Sequence, residues 1–254
     1  MTTTVKCAAK IDSITEISDG IYSMWIDEEK IASATRPGQF LSLYCKDGSK
    51  LLPRPISVCE VNEGKLRLVF RAMGAGTKEI ATYQAGEFIE VMGPLGNGFP
   101  LIEGKRAILI GGGIGIPPML ELAKQLNCEK QVVLGYRDVT FLDNEFLDYA
   151  DVFVATEDGS VGTKGNVIDA MREHQLNADV IFACGPTPML RGVKEYAKEH
   201  NITAWLSLEE RMACGIGACL ACVCKSKEKD HHTNVNNKRI CKDGPVFLAD
   251  EIEL

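Results

Sequence analysis

Apolar and polar positions change rhythm twice along this chain, and the changes predict three segments. Up to about residue 100, short runs rich in Val, Ile, Tyr and Phe (21–26, 40–44, 66–70 and 88–91) are punctuated by Asp47-Gly48, Glu63-Gly64 and Ala85-Gly86. β-Branched and aromatic side chains suit a pleated, half-buried strand, and glycine reaches the positive φ that tight turns need. Short strands at regular spacing predict a small barrel. At about 101 the texture changes. Ala107-Ile108-Leu109-Ile110 is apolar without alternation, as in a strand covered on both faces, and Pro117-Pro118 opens a helical stretch over 119–126. Runs at 131–136, 152–156 and 180–184 repeat the strand pattern, with amphipathic helices at 167–174 and 189–200. Such alternation predicts a parallel α/β sheet with crossover helices. From about 207 periodicity fades and a cysteine-rich tail begins. The predicted fold is multidomain, β plus α/β: a barrel over 1–100, a Rossmann-like α/β domain over 101–206 and a cysteine module over 207–254.

Composition narrows the function. The formal net charge of −7 argues against a nucleic-acid partner, which needs a Lys/Arg excess. No apolar run reaches the roughly 18 residues of a membrane span, and the N-terminus has no apolar signal core. Ten cysteines without a secretion signal point to the cytoplasm, where clustered thiols are metal ligands more often than disulfides. Cys7, Cys45, Cys59 and Cys128 lie in or beside apolar runs and read as small buried hydrophobes.

Cys214-x4-Cys219-x2-Cys222, followed by a distant Cys241, has the plant-type spacing for a 2Fe-2S cluster. Cys224 competes for the fourth place, because i and i+2 side chains share a face in extended chain. Zinc also takes four thiolates but usually between two C-x2-C pairs, and one such pair is present. His231 and His232 lack a preceding Cys-x-His and read as a solvated loop. Gly215 and Gly217 free backbone N–H groups that bond anionic sulfur.

Upstream, Gly111-Gly112-Gly113-Ile114-Gly115 stands where a strand hands over to a helix, where backbone approaches a pyrophosphate. Cys184-Gly185-Pro186 follows another apolar strand, and the thiol there reads either as facing a nicotinamide ring or as a buried group in a turn. Within the barrel segment, Arg54 between Pro53 and Pro55 is a permanently charged fork suited to phosphate, and Ser57, after Ile56, offers a hydroxyl to a flavin edge. Arg71-Ala72-Met73 and Gly76-Thr77 form a second phosphate cradle at a helix start, and 93–98 is a glycine-rich turn closing the barrel.

In this order the motifs resemble the ferredoxin-NADP reductase superfamily over about residues 5–200. With the tail, Cys241 and Asp243-Gly244-Pro245-Val246-Phe247 included, the whole chain resembles the electron-transfer subunits of the bacterial dihydroorotate dehydrogenase B type. The resemblance implies FAD on the barrel, NAD on the α/β domain and a 2Fe-2S cluster held by Cys214, Cys219, Cys222 and Cys241. It also implies no catalytic acid or base in this chain, and an FMN-containing dihydroorotate dehydrogenase catalytic subunit as partner in a two-plus-two heterotetramer of pyrimidine biosynthesis. Such a chain has no room for the partner's (β/α)8 barrel of about 250 residues. After one sheet strand stand Arg137-Asp138, a cation beside an anion, and after the next the acidic pair Glu157-Asp158, a balance that favours NAD over NADP. The same motifs would serve an NAD(P)H:acceptor flavin/iron-sulfur reductase subunit, and a non-catalytic, metal-stabilised binding module would keep the tail alone.

Overall fold

The computed structural model of the chain describes residues 4–229 and 234–254; His231 and His232 lie outside the described residues. The first segment forms β1 (Val5–Ser18), β2 (Ile21–Asp27), a short helix α1 (Glu29–Ala34), β3 (Phe40–Tyr44), β4 (Arg54–Asn62), β5 (Lys65–Arg71), helix α2 (Ala75–Ile80) and β6 (Phe88–Leu95). The strands close an antiparallel barrel in the order β1-β2-β5-β4-β3-β6. Alternation sorts their faces: Ile11, Met24, Leu41, Leu43, Leu68 and Val91 fill the interior. The register sets Ser42 opposite Pro55 and Phe40 opposite Ser57. Residues paired across two strands share a face, so these four point away from the interior-facing Leu41 and Leu43.

The second segment adds β7 (Ala107–Gly112), α3 (Pro117–Gln125), β8 (Lys130–Tyr136), β9 (Asp151–Thr156), β10 (Thr163–Lys164), α4 (Val167–Glu173), β11 (Val180–Cys184), α5 (Thr187–Glu199) and β12 (Thr203–Ser207). The tail holds a two-stranded ribbon, β13 (Val223–Lys225) with β14 (Asn237–Arg239), and then β15 (Val246–Leu248). β15 leaves the tail and pairs antiparallel with β12, giving a seven-stranded sheet in the order β10-β9-β8-β7-β11-β12-β15. The neighbours from β10 to β12 run parallel.

Two joints hold the pieces together. One apolar cluster unites Phe40 and Leu95 of the barrel, Ile108, Ile181 and Leu206 of the sheet, and Cys222, Ile240, Phe247 and Ile252 of the tail. The other joint is charged. Buried Arg67 of β5 donates to Ser23 Oγ at 2.9 Å and to Glu145 Oε1 at 3.0 Å, tying the barrel to the turn before β9. Lys124 of α3 reaches Glu60 Oε1 of β4 at 2.8 Å, and Glu121 Oε2 accepts the Val61 N–H at 2.7 Å. Among the described residues, no helix is long and apolar enough to cross a membrane.

Candidate functional site

The barrel motif folds into one place. Arg54 opens β4 and crosses the first turn of α2, where a Cβ on Gly76 would overlap its guanidinium. Its Nη1 also donates to the carbonyls of Lys50, at 3.3 Å, and Leu52. Thr77 Oγ1 accepts from the Gly74 N–H at 3.1 Å and so fixes the helix start. A fixed cation beside a bare helix turn is a donor set for phosphate oxygens, and FAD fits it by chemistry. Arg71 ends β5, the Ala72 N–H donates to Gly20 O at 2.8 Å, and Met73 follows at the surface with 76% of its area exposed. Ile56 packs towards the barrel core while Pro55 and Ser57 take the outward face.

The two turns of the α/β domain also meet. β7 and β11 are neighbours, with Gly111 opposite Cys184. A Cβ on Gly115 would run into the Cys184 carbonyl and come within 2.6 Å of the Gly185 nitrogen, and one on Gly112 would strike Met189 Sδ. Gly113 keeps a φ of +53°, which turns the chain from strand to helix. The motifs at 111–115 and 184–186 thus form one shelf at the carboxyl ends of adjacent strands, the place where open α/β sheets take dinucleotides. Burial pushes the Cys184 thiol up to about 12, so it is neutral there. Beside the shelf, Ser160 Oγ joins the two acidic loops, its one O–H lying within reach of Asp158 Oδ1 at 2.8 Å and Asp138 O at 3.1 Å.

In the tail, the four predicted thiols fall near one another, Cys219 beside Cys214 and the Cys241 N–H against Cys222 Sγ. Among the described residues no three His, Cys, Asp or Glu side chains converge as ligands of a single ion. Two pairs are the donor set that a two-iron cluster takes, one pair for each iron. Backbone N–H groups aim at sulfur: Gly217 at Cys241 Sγ (3.1 Å), Ala218 at Cys214 Sγ (3.3 Å) and Cys241 at Cys222 Sγ (3.4 Å). Burial opposes charge on Cys214, but the donors from Ile216, Cys219 and Ala218 outweigh it and lower the thiol to about 6. Cys241 is pushed up to about 12, first by burial and then by Cys222 against it. Cys224 lies on β13 and packs against the shared apolar cluster, its pKa raised by burial. The scattered thiols divide: Cys59 is fully buried, whereas Cys7, Cys45 and Cys128 are partly exposed and so correct the expectation of uniform burial. All three still pack against the apolar cores with part of their surface.

The tail reaches the 54–57 segment of the barrel. Gly215, with φ +70°, sits against the barrel: a Cβ there would meet Ser42 Oγ at 2.9 Å and Leu95 Cδ1 at 3.4 Å. Ser42 is the residue paired with Pro55. The cysteine loop therefore abuts the outward face that carries Pro55 and Ser57. A second anchor escaped the sequence reading. Asn97, in the turn at 93–98, donates through Nδ2 to Lys242 O (3.2 Å) and Asp243 O (3.0 Å), and its N–H donates to Gly244 O at 2.7 Å. Its place between two glycines predicts a turn, but its partners lie far along the chain and leave no local pattern.

A closed antiparallel barrel, a parallel α/β sheet and a cysteine-rich tail packed against both define an oxidoreductase of the ferredoxin-NADP reductase-like class with an iron-sulfur module. Residues 209–253 match the family described as the iron-sulfur cluster binding domain of dihydroorotate dehydrogenase B. A protein of Bacillus velezensis named dihydroorotate dehydrogenase B (NAD(+)), electron transfer subunit, is 45% identical, covering 98% of this chain and 99% of its own length. Its namesake in Caldanaerobacter subterraneus subsp. tengcongensis is 40% identical, covering 97% and 98%. This chain belongs to the family of dihydroorotate dehydrogenase B (NAD(+)) electron transfer subunits. Among solved structures, that of an NADH-dependent reduced ferredoxin-NADP oxidoreductase, described for flavin-based electron bifurcation, superposes with a TM-score of 0.87. It is 30% identical and covers 96% of this chain and 89% of its own.

Proposed function

We propose that this chain relays electrons between a catalytic partner subunit and NAD+, holding a 2Fe-2S cluster on Cys214, Cys219, Cys222 and Cys241, FAD on the barrel and NAD on the α/β shelf. The observation that carries this reading is the contact of Gly215 with Ser42, which brings the cysteine loop against the face bearing Pro55 and Ser57. When bound, the cluster exchanges single electrons, while the flavin pairs them for hydride exchange with the nicotinamide.

The protein's own part is placement. Arg54 and the turn at Gly76-Thr77 hold the flavin pyrophosphate, with the backbone at Arg71, Ala72 and Met73 beside it. Pro55 and Ser57 would line the ring from the outward face, Ser57 supplying a hydroxyl to its polar edge, and Ile56 between them would offer its backbone while its side chain packs into the barrel core. Gly111, Gly112, Gly113 and Gly115 bring backbone close to the dinucleotide phosphates, and Cys184, Gly185 and Pro186 bound the nicotinamide. The neutral Cys184 thiol keeps that end apolar and acts as neither acid nor base. Asp138 and Asp158 favour a ribose hydroxyl over a 2′-phosphate, which supports NAD over NADP. The catalytic partner would be an FMN-containing dihydroorotate dehydrogenase subunit that would supply the electrons, in a cytoplasmic two-plus-two heterotetramer. Working in that complex, the subunit itself reduces NAD+.

The chain purified without oxygen is expected to hold about two irons and two acid-labile sulfides, with a flavin absorbance that NADH bleaches. Cys241→Ser is expected to lose the cluster and Cys224→Ser to keep it. Stoichiometric zinc without iron overturns the cluster, and a colourless chain overturns the relay.

A further inference from the structure

Between the cysteine loop and the returning strand β14 lies an ion pair that the electron relay above does not use. Arg239, the last residue of β14, is gripped by Asp243: Nε donates to Oδ2 at 3.0 Å, Nη2 to Oδ1 at 3.1 Å, and the Arg239 N–H to Oδ2 at 2.8 Å. A guanidinium held by both carboxylate oxygens has a fixed orientation. Its remaining fork aims inward, Nη1 donating to the Gly217 carbonyl at 3.2 Å. That carbonyl belongs to the same peptide unit as the Ala218 N–H, which donates to Cys214 Sγ at 3.3 Å. An amide is conjugated from oxygen to nitrogen, so a cation at its oxygen draws charge from the nitrogen and makes its N–H a stronger donor. The order Asp243–Arg239–Gly217 C=O–Ala218 N–H–Cys214 Sγ is one polarised line ending on sulfur. The loop cannot easily swing off this line. Gly217 has a φ of +85°, and a Cβ there would lie 2.7 Å from Lys242 Cβ, next to Cys241.

We propose that Arg239 sets the reduction potential of the 2Fe-2S cluster through the Gly217–Ala218 peptide, with Asp243 as the counterweight that limits its pull. The proposal rests on the cluster reading. Reduction delivers one electron from the partner's flavin, breaks no bond and adds one negative charge, spread over iron, sulfide and thiolate sulfur. Stronger N–H donors to that sulfur favour the reduced state and raise the potential. The ion pair is partly exposed, 24% for the Arg239 side chain and 33% for Asp243, so solvent screens part of the effect and leaves part. Arg239 is thus a positioning and tuning residue, and it transfers no electron itself.

The two partners carry opposite charge, so their removal shifts the potential in opposite directions. In the full chain, Arg239→Gln is expected to make one-electron reduction about tenfold less favourable, which is about 59 mV lower for a one-electron couple. Asp243→Asn removes the anion that grips the guanidinium and is expected to raise the potential. Both are read by a dithionite titration followed by the cluster's optical and electron paramagnetic resonance signals, alongside iron analysis. A wild-type chain without iron refutes the cluster reading. Full iron with unchanged potentials, or shifts of the same sign, refutes the tuning role. Should one variant purify short of iron, the sign of the other's shift decides alone. Loss of iron from both makes Arg239 a structural strut and overturns the proposal.

Discussion

A methyl group at position 76 would overlap the guanidinium of Arg54, a residue 22 places earlier in the chain. Arg54 cannot retreat without breaking its bonds to the Lys50 and Leu52 carbonyls. Gly76→Ala is therefore expected to move the Arg54 guanidinium and, on the proposed role of Arg54, to raise the dissociation constant for FAD by roughly tenfold, about 1.4 kcal/mol. Fluorescence titration of the flavin-stripped chain measures it. Gly74 has open space around its Cα and an ordinary φ of −96°, so Gly74→Ala is the control that leaves flavin affinity nearly unchanged. At this scale much of the site was legible, because Arg54-Pro55-x-Ser57, the glycine run and the cysteine spacing each sit within a few residues of sequence. Their opposing surfaces were not legible. Nothing local to Gly76 announces Arg54, and nothing local to Gly215 announces Ser42. Those pairs follow from strand register, which one short motif does not encode.

Elements show the same division, with a physical cause for each omission. β4 was read as a proline-restrained motif because Pro55 lacks an N–H, yet it runs on through Asn62 between β3 and β5. β1 is 14 residues long, but Lys6, Lys10, Asp12 and Glu16 thin its apolar signal, and two register shifts bend it between β2 and β6. α2 is placed by an anchor outside its own turn. Glu79 accepts from Lys50 Nζ at 2.6 Å, Tyr83 OH at 2.6 Å and the Lys46 N–H at 2.7 Å, folding the loop before Arg54 onto the helix. Lys50, with Tyr83 and the backbone donors behind it, lowers the carboxyl from 4.5 to about 2. A pKa depressed by folding means that the stabilisation is whole above about 4.5 and fades as pH falls towards 2. Glu79→Gln is expected to lower the urea midpoint at pH 7, while the two acid-unfolding curves converge near pH 2. A constant gap at all pH values would remove the carboxylate from the account.

At the scale of the whole molecule, the tail does not behave as an appendage. β15 belongs to the seven-stranded sheet, and Ile240, Phe247 and Ile252 are buried in the cluster that also holds Phe40 of the barrel and Leu206 of the sheet. Fading periodicity after 207 concealed this, because a three-residue strand placed by tertiary contact carries almost no periodic signal. The arrangement has a consequence for electron transfer. A cysteine loop on a tether would sample many distances from the flavin face, whereas one locked by β15, Asn97 and Ser42 keeps a single distance. Removing the iron and removing the tail should then differ sharply. Each of the three large side chains contributes about 1.5–3 kcal/mol by burial, so their loss costs about 5–9 kcal/mol. That is comparable with the whole stability of an ordinary domain, about 5–15 kcal/mol. A chain ending at Leu208 is expected to aggregate or to lose its near-ultraviolet circular dichroism. Iron extraction by a chelator under reducing conditions leaves those apolar contacts and the β12–β15 pairing in place. The iron-free chain is expected to keep its far-ultraviolet spectrum and NADH-reducible flavin, with a lower Tm. A truncated chain that melts at the wild-type temperature and still exchanges electrons between NADH and flavin would show that the tail is carried by the fold and does not help to build it.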